Sequence, residues 1–331
     1  MKTFAFLIHP LNTDQILTYW PLTRFLPASL RKTFLKHQNF KVLPLKKIIS
    51  SQNKEIQGYL IVCPLLPDEI LELDDEIILG KIIDAGFIAE RIGAEIMGIG
   101  GYMAITADKK PMIHKHLKVP ITSGSAFTAW SVFETIFRTA KQRKINLKDK
   151  TIAIVGPMNA VGSLCAQKFS EHSGKVLLTG EWKEKLQRFK KILNQLNLTN
   201  TEIEADIRKA VSSADIVINT HTDNTDIFSI NDLKPKSIVY DASIFQNISR
   251  QAKLRKDIFL IESNTIKLPF AEHTGFDILP DNNVYAAMAE TILLALEDKF
   301  VTYSLGESRN SDKLEEIANI AVRHGFEINL S

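Results

Sequence analysis

Cysteine is scarce in this chain of 331 residues, which contains only Cys63 and Cys165. Two cysteines without a CxxC spacing exclude a disulfide framework and a cysteine-based zinc site, and they favour a reducing compartment. The eight histidines form no HExxH or HxxxH pair, so we predict no metal site.

Long apolar runs are also absent. No stretch reaches the roughly 18 consecutive apolar residues that a membrane-spanning helix needs. The apolar start of the chain ends at His9 and Pro10 without a small-residue cleavage site, so we interpret it as a β-strand and not as a signal peptide. We therefore expect a cytoplasmic protein without a transmembrane segment.

The chain has no large excess of charge of one sign, since 24% of residues are charged but the formal net charge is only +3. This balance argues against wholesale disorder and against a nucleic-acid coat protein. The length predicts two domains and a smaller third element. We expect no nucleic-acid partner.

Residues 1–147 have the pattern of an α/β substrate or catalytic domain. Apolar runs predict strands at 4–8, 58–63 and 96–102, and helical periodicity predicts helices at 14–26, 67–92 and 126–143. The adjacent Gly100 and Gly101 would let another backbone or a ligand approach closely.

The strongest local signal lies in residues 148–268. The β-branched run 151–155 predicts a buried parallel strand, and Gly156 to Gly162 leads from it into a helix at 163–170. A strand, a glycine turn and a helix in this order form a dinucleotide site, because backbone amides and the positive end of the helix dipole hold a pyrophosphate. The middle glycine of the G-x-G-x-x-G motif is absent.

Further strands at 175–179, 214–220, 237–241 and 258–261 complete this pattern. They predict an α/β fold with a central Rossmann-type, doubly wound parallel sheet. The acidic Glu181 follows the second strand, where a carboxylate usually meets the adenosine ribose. We predict cofactor contacts at Gly156, Met158, Asn159, Ala160, Val161, Gly162, Thr179, Glu181, Thr220, His221 and Ala242.

Residues 269–331 begin with a loop at 270–283 and continue with helical patterns at 284–299 and 312–324. We interpret them as a small helical segment that packs back on the N-terminal domain. Five short segments, in order, resemble the cyanobacterial long-chain acyl-acyl-carrier-protein reductases, a similarity that spans nearly the whole chain; they are residues 99–102, 122–130, 276–278, 289–294 and 322–326.

The resemblance implies a shared fold and a reaction class. Members of that family transfer an acyl group from the carrier protein onto a cysteine and reduce the thioester with NADPH to a fatty aldehyde. By this register the cysteine position is Ala287, whose methyl group cannot be acylated. Cys63 and Cys165 lie in apolar segments, where a buried, inert thiol is the expected state.

Two cofactor positions depart from the family pattern. Asn159 stands at the central glycine of the phosphate turn, and Glu181 stands where the family places an arginine for the 2′-phosphate of NADPH. A carboxylate repels that phosphate and accepts hydrogen bonds from a ribose diol, which favours NADH. Lys183 and Lys185 are close enough in sequence to reverse this preference, so either NADH or NADPH is expected.

Polar residues suggest where a substrate lies. We predict substrate contacts at Gly100, Gly101, Tyr102, Ser123, Ser125 and Thr128, although the serines and Thr128 also suit the start of a helix. His273 is a candidate proton donor to a reduced carbonyl and equally a structural loop histidine. We expect His324 to act as a helix-end cation, and His114 and His116 to lie on a solvated loop.

These observations leave alternatives. The first is an NAD(P)H-dependent oxidoreductase that passes hydride directly to an acyl thioester or carbonyl, with His273 or a hydroxyl group protonating the oxygen. The second is a catalytically silent relative that binds an acyl carrier protein, a lipid or a nucleotide. The third is a working reductase in which Ala287 is an introduced substitution. Basic stretches at 32–47 and 109–116 would suit an acidic carrier protein.

Overall fold

The computed structural model describes residues 1–223, 225–243, 246, 248–261, 265–269, 283–306 and 311–329, except for the side chains of residues 28, 29, 36 and 252–254. The chain divides into two compact units. The first comprises Met1–Phe127, Thr265–Gly306 and Ile317–Glu327, and the second comprises Thr128–Asn264, Glu307–Glu316 and Ile328–Ser331. The sequence-based boundary at 147 therefore lies 20 residues beyond the boundary at Phe127.

The first unit is built on a six-stranded sheet in the order β2-β4-β1-β5-β6, with β3 beside β4. Its strands are β1 (Lys2–Ile8), β2 (Lys41–Pro44), β3 (Ile48–Ile49), β4 (Glu55–Val62), β5 (Ile96–Ile99) and β6 (Ile121–Thr122). Strands β4, β1, β5 and β6 are parallel, whereas β2 and β3 run antiparallel to β4. Buried side chains of β1, β4 and β5 form the centre of this unit's core.

Helices connect these strands. They are α1 (Thr13–Tyr19), α2 (Ala28–Lys36), α3 (Pro67–Glu72), α4 (Asp75–Arg91), α5 (Gly101–Lys109) and α6 (Ser125–Gln142), with 3-10 turns at Pro21–Phe25 and Pro111–His116. Asn12 caps α1 by accepting the amides of Asp14 and Gln15, as its short polar side chain predicts.

The second unit is a six-stranded parallel sheet in the order β12-β11-β10-β7-β8-β9. Its strands are β7 (Thr151–Val155), β8 (Lys175–Thr179), β9 (Thr201–Ile203), β10 (Ile216–Asn219), β11 (Ile238–Asp241) and β12 (Phe259–Ile261), and its helices include α7 (Ala160–His172), α8 (Lys183–Gln195) and α9 (Ile207–Ser213). Three strands extend outward on each side of the boundary between β7 and β10, which is the Rossmann order. The α/β fold class and the doubly wound sheet are confirmed.

The C-terminal part supplies β13 (Thr265–Lys267), β14 (Asn283–Tyr285), α10 (Ala286–Leu296), α11 (Asp312–His324) and β15 (Glu327–Ile328). The three short strands form a sheet in the order β14-β13-β15. Helix α10 is buried at every position except Ala287 and packs on β1 and β5. The predicted loop at 270–283 lies outside the described residues except for Asn283.

Several predicted elements were wrong in detail. The helix at 14–26 ends at Tyr19, because Pro21 starts a 3-10 turn. The helix at 67–92 is two helices, since Leu73 and Asp74 are extended and Asp74 occupies the N-cap position of α4. The strand at 96–102 ends at Ile99, and its glycines open α5.

Two helix starts were also wrong. The helix at 163–170 begins at Ala160, because Asn159 caps it three residues earlier. The helix at 284–299 begins at Ala286, after a short strand that pairs with β13. Within the described residues, no helix has both the length and the apolar character to cross a bilayer.

Candidate functional site

The predicted glycine turn lies at the carboxyl end of β7. Gly156 has a φ of +78°, a conformation that disfavours side chains. A Cβ atom at Gly162 would lie 2.4 Å from the carbonyl oxygen of Gly156 and 2.6 Å from Oγ1 of Thr220. Both glycines are therefore required, one by the turn and one by the close packing of α7 on it.

Asn159 fills the centre of this turn. Its Oδ1 accepts the amide of Gly162 at 2.8 Å, and its Nδ2 donates to the carbonyls of Gly156 at 2.9 Å and Thr220 at 2.5 Å. Among the described residues, the amides of Ala160 and Val161 have no acceptor, as expected in the first turn of a helix. Asn159 thus uses one donor of the helix start and leaves two.

The carboxyl end of β8 completes this edge of the sheet. Thr179 is fully buried, and its Oγ1 has no partner within the described part of the chain. Glu181 is exposed after the strand. The ammonium of Lys185 lies 5.0 Å from the ring centroid of Trp182.

A dinucleotide fits these groups. A pyrophosphate needs the free amides at the start of α7, and a ribose diol needs an acceptor such as Glu181 after β8. The unpartnered hydroxyl of Thr179 supplies a further polar group at the same edge. The side chain of Asn159 reduces the number of backbone donors left for a pyrophosphate, because it already binds the Gly162 amide.

A polar cluster that the sequence did not reveal follows β10 and β11. The buried Asp241 carboxylate accepts the Asn219 side chain at 3.0 Å and the Ser249 amide at 3.0 Å. Oδ1 of Asn219 accepts the amide of His221 at 3.2 Å. A small cleft opens there, next to the predicted contact residues Thr220 and Ala242. Its lining is partly acidic and consists of Asn219, His221, Asp223, Thr225, Asp226, Ser243 and three apolar residues.

In the first unit, the predicted substrate residues lie at the carboxyl ends of β5 and β6. A Cβ atom at Gly101, where φ is +62°, would lie 2.6 Å from Nε2 of His9. That nitrogen accepts the Tyr102 amide at 3.3 Å, while Nδ1 donates to the Pro10 carbonyl at 3.1 Å. Gly101 therefore makes room for the protein's own histidine, whereas a Cβ atom at Gly100 would lie 2.8 Å from the ring of Phe6.

His9 is a buried group that the sequence did not single out. Burial lowers its pKa to about 4, although the hydrogen bond to Pro10 opposes this shift. A neutral imidazole with Nδ1 protonated satisfies both ring nitrogens. His9 therefore acts as an uncharged cap for the start of α5.

A buried hydroxyl and carboxylate network lies at the start of α6. Glu290 accepts the amide of Phe127 at 2.8 Å and the hydroxyl of Thr122 at 2.5 Å. Oγ of Ser304 accepts the Ala126 amide at 3.2 Å. Glu290 and Ser304 have no exposed surface, so a carboxylate complements the positive end of this helix from inside the protein.

Asp108 extends this network. Burial raises its pKa to about 7, helped by the Glu290 charge and opposed by hydrogen bonds from the Gly306 amide and the Ser123 hydroxyl. The Gly306 amide lies 2.9 Å from Oδ1. The hydroxyls of Ser123 and Ser125 are 3.3 Å apart, which makes the two predicted serines part of a chain that ends at a titratable carboxyl group.

Ala287 lies in the first turn of α10 and is partly exposed. A Cβ atom at Gly124 would lie 2.5 Å from its Cβ. The segment Ser123 to Ser125 thus touches the position of the family nucleophile through Gly124. Thr128, the remaining predicted contact, is in the first turn of α6 at the start of the second unit.

The structure describes both cysteines but not the candidate proton donor His273. Cys63 and Cys165 are buried free thiols; burial raises the pKa of Cys63 to about 12 and raises that of Cys165 further. Their predicted burial is confirmed. His273 lies outside the described residues.

The other histidines have local partners. His114 donates to the Pro111 carbonyl at 2.6 Å, and His116 is exposed. His324 is fully buried in the last turn of α11, with Nε2 2.7 Å from Glu297. In the described ranges, no three metal-ligating side chains come together.

No protein-family model matches the chain. Two curated proteins are distantly similar. The aminotransferase PigE of a Serratia species is 26% identical over 300 residues, which cover 85% of this chain and 33% of PigE. The chain thus spans about a third of the length of that relative.

The long-chain acyl-[acyl-carrier-protein] reductase of Synechococcus elongatus is 24% identical over 306 residues, which cover 85% of each protein. Among solved structures, the L-tryptophan dehydrogenase from Nostoc punctiforme has a TM-score of 0.43 and 15% identity, covering 96% of this chain and 80% of that one. The resemblance to the reductase family is therefore present but distant.

Proposed function

We propose that the protein is an NAD(P)H-dependent oxidoreductase that reduces an acyl thioester or a carbonyl without a covalent cysteine intermediate. The observation that carries this proposal is the Gly156 turn, with the free amides of Ala160 and Val161, on a sheet in the Rossmann order. The distant similarity to an acyl-carrier-protein reductase over 85% of both chains supports the substrate class.

A thiol route has no suitable residue. Both cysteines are buried, and burial raises their pKa values, so neither forms a thiolate at neutral pH. Ala287 offers only a methyl group. A direct reduction needs no nucleophile from the protein, which is consistent with this inventory.

The proposal assigns the cofactor to the second unit. The amides of Ala160 and Val161 donate to the pyrophosphate, and Glu181 accepts from the adenosine ribose. When bound, the nicotinamide would supply a hydride to the carbonyl carbon, while the oxygen would take a proton. From a thioester, the resulting hemithioacetal would then release the thiol of the carrier protein or of CoA and leave the aldehyde. Because Lys185 lies over the Trp182 ring, the exposed Glu181 decides the preference, which we propose is for NADH.

The first unit would orient the substrate and provide the proton. Ser123 and Ser125 are hydroxyl donors next to Gly124, which contacts Ala287. Asp108 is a proton source for them, since it titrates near neutral pH. When Asp108 is protonated it would donate to Ser123, whose own hydroxyl hydrogen points to the Ser304 carbonyl. To pass a proton onward, Ser123 would have to turn that hydrogen to Ser125, whose oxygen lies 3.3 Å away.

An acidic acyl carrier protein, or acyl-CoA, is the proposed acyl donor. The basic stretches at 32–47 and 109–116 would orient an acidic carrier through charge complementarity. Residues 109–116 include exposed Lys109, Lys110, Lys115 and His116.

A second candidate function is favoured by two observations. Asn159 uses the Gly162 amide, and Ala287 replaces the family's cysteine. A catalytically silent relative that binds an acyl carrier protein, a lipid or a nucleotide would tolerate both changes.

The test is to incubate the wild-type chain with acyl-CoA or acyl-carrier-protein and with NADH or NADPH. We expect cofactor oxidation and aldehyde or alcohol product, with an unmodified intact mass. Cofactor oxidation together with an acyl adduct on Cys63 or Cys165 would contradict the non-covalent route. Binding without any turnover would support the silent relative.

The variant Ala287→Cys tests whether an acyl group can reach position 287. Its thiol would lie in the first turn of α10, where the helix dipole lowers the pKa of a cysteine. Acylation of this variant alone would show that the acyl group reaches Ala287, whereas no acylation would contradict the register with the reductase family.

A further inference from the structure

Three large apolar side chains within nine residues of sequence are exposed near the start of the chain. Leu22 is 78% exposed, Phe25 is 72% exposed and Leu30 is 50% exposed. We call these three residues the apolar tip. Single exposed apolar residues are ordinary, but a cluster of this kind marks an interaction surface.

The backbone holds the tip outward. Leu22 and Phe25 are three residues apart in the 3-10 turn Pro21–Phe25, and side chains at this spacing are eclipsed in a 3-10 helix. Thr23 is buried, and its hydroxyl donates to the Trp20 carbonyl at 2.7 Å. One side of the turn is therefore fixed to the unit while the other presents Leu22 and Phe25 to solvent.

The surroundings of the tip are cationic. Residues 11–47 contain seven Lys or Arg side chains and one acidic side chain, Asp14. Three of the seven have acidic partners: Arg31 with Asp14, Lys32 with Asp68 and Lys47 with Glu55. In the described part of the chain, Arg24, Lys41 and Lys46 have no carboxylate within salt-bridge distance.

Arg24 places a positive charge directly beside an exposed apolar side chain of the tip. Its guanidinium lies 4.7 Å from the ring centroid of Phe25. An arginine next to an exposed aromatic ring places its charge at lipid phosphates while the ring enters the acyl boundary.

We propose that the apolar tip inserts into the headgroup region of an anionic lipid bilayer, with Arg24 and the neighbouring lysines binding lipid phosphates. We choose a bilayer over a protein groove because the exposed apolar side chains belong to a segment rich in lysine and arginine, a combination typical of membrane-surface segments. The cations favour anionic lipids, whose surface potential attracts basic segments. This proposal does not depend on the proposed function.

Vesicle sedimentation with the full chain tests it. The probes are vesicles of phosphatidylcholine alone and of phosphatidylcholine mixed with phosphatidylglycerol. We expect the wild-type chain to bind the anionic vesicles at least about tenfold more strongly, and the double variant Leu22→Ser/Phe25→Ser to lose about tenfold of that binding. Arg24→Glu should weaken binding to the anionic vesicles and change little with phosphatidylcholine.

The matched control is Phe87→Ser/Val322→Ser, which removes an aromatic and an aliphatic side chain that are 48% and 70% exposed elsewhere. It should bind vesicles like the wild type. Thermal melting of each variant identifies any loss of fold, and a dye on Leu22→Cys gives a second readout, since its emission should shift to the blue on anionic vesicles.

Three results would overturn the proposal. The first is no binding to either vesicle, and the second is equal binding by the wild type and the tip variant. The third is binding of an acidic acyl carrier protein, but not of vesicles, that is lost in the tip variant, which would assign the tip to a protein partner.

Discussion

Two helices begin at the carboxyl edges of the two sheets, and different groups bond to the amides at their N-termini. The start of α6 is covered by the buried Glu290 carboxylate and by Ser304. The start of α7 is capped only by the neutral amide of Asn159, which leaves two amides. Because a helix N-terminus attracts negative charge, the first has its anion built in and the second still requires one.

From this difference we propose separate roles for the two edges. In the described residues the amides of Ala126 and Phe127 at the start of α6 are already bonded, so we propose the neutral part of a substrate, such as a carbonyl, for that edge. The start of α7 suits a pyrophosphate.

Removing the built-in anion should have the largest effect. Glu290→Ala would leave the Phe127 amide and the Thr122 hydroxyl buried without their acceptor, and we expect it to lower the free energy of unfolding by about 3 kcal/mol or more. Asn159→Ala should cost about 1 kcal/mol, as loss of a helix cap usually does. Urea unfolding of both variants checks the ranking, and equal losses would contradict the contrast.

A third helix, α5, is capped by the neutral His9. The pH dependence of stability tests whether this cap must be uncharged. Because the pKa of His9 falls from 6.5 to about 4 on folding, its contribution is complete above pH 6.5 and is lost as the pH falls to 4. At about 1.4 kcal/mol per pKa unit, the loss is at most about 3.5 kcal/mol. We expect His9→Gln to remove this part of the acid sensitivity in thermal melts.

Asp108 should act in the opposite direction over a similar range. Its pKa rises from 3.8 to about 7 on folding, so its protonated form stabilises the fold and that contribution is lost as the pH rises from 4 to 7. Asp108→Asn should flatten this slope. A variant that melts with the same pH profile as the wild type would show that Asp108 is ionised throughout.

Removing the Asn159 side chain from the α7 turn should have a smaller effect, on nucleotide affinity. Asn159→Gly frees the Gly162 amide, and glycine is nearly as good a cap as asparagine. We expect nucleotide affinity to rise severalfold, with stability reduced because the bonds to Gly156 and Thr220 are lost. Weaker binding in calorimetry would instead make the Asn159 amide a ligand contact.

The second unit was largely predictable from sequence, and the site of the first was not. The run 151–155 and the glycines after it encode β7 and its turn in consecutive residues, so local pattern was sufficient. The network around Glu290 joins Thr122, Phe127 and Ser304, which are far apart in the chain. Its only local signal is an acidic residue inside an otherwise apolar helix.

His9 illustrates the same limit. A histidine after a strand gives no indication of a partner, and its contact with Tyr102 spans 93 positions. The errors in helix bounds have local causes instead, since Pro21 and Asn159 each set a helix boundary that apolar periodicity alone misplaced.

Cofactor choice is the smallest expected effect. Glu181→Arg should raise NADPH affinity about fivefold to tenfold relative to NADH, because it replaces a repulsive carboxylate with a phosphate-binding side chain. Lys183→Ala, two residues further on at the start of α8, is the matched control and should change the ratio little. An unchanged ratio in Glu181→Arg, with a large change in the control, would assign the ribose contact to Lys183.

The most direct test of the central claim is calorimetric titration of NADH and NADPH into the wild type and into Ala160→Pro. Proline is tolerated at the first position of a helix, and Asn159 is already extended, so the variant removes one amide donor and keeps the fold. We predict binding at one site in the wild type, weakened about tenfold or more in Ala160→Pro, since a hydrogen bond to a charged group contributes about 1.5–3 kcal/mol. No binding of either nucleotide, or equal binding by both proteins, would contradict the claim that the start of α7 holds the cofactor.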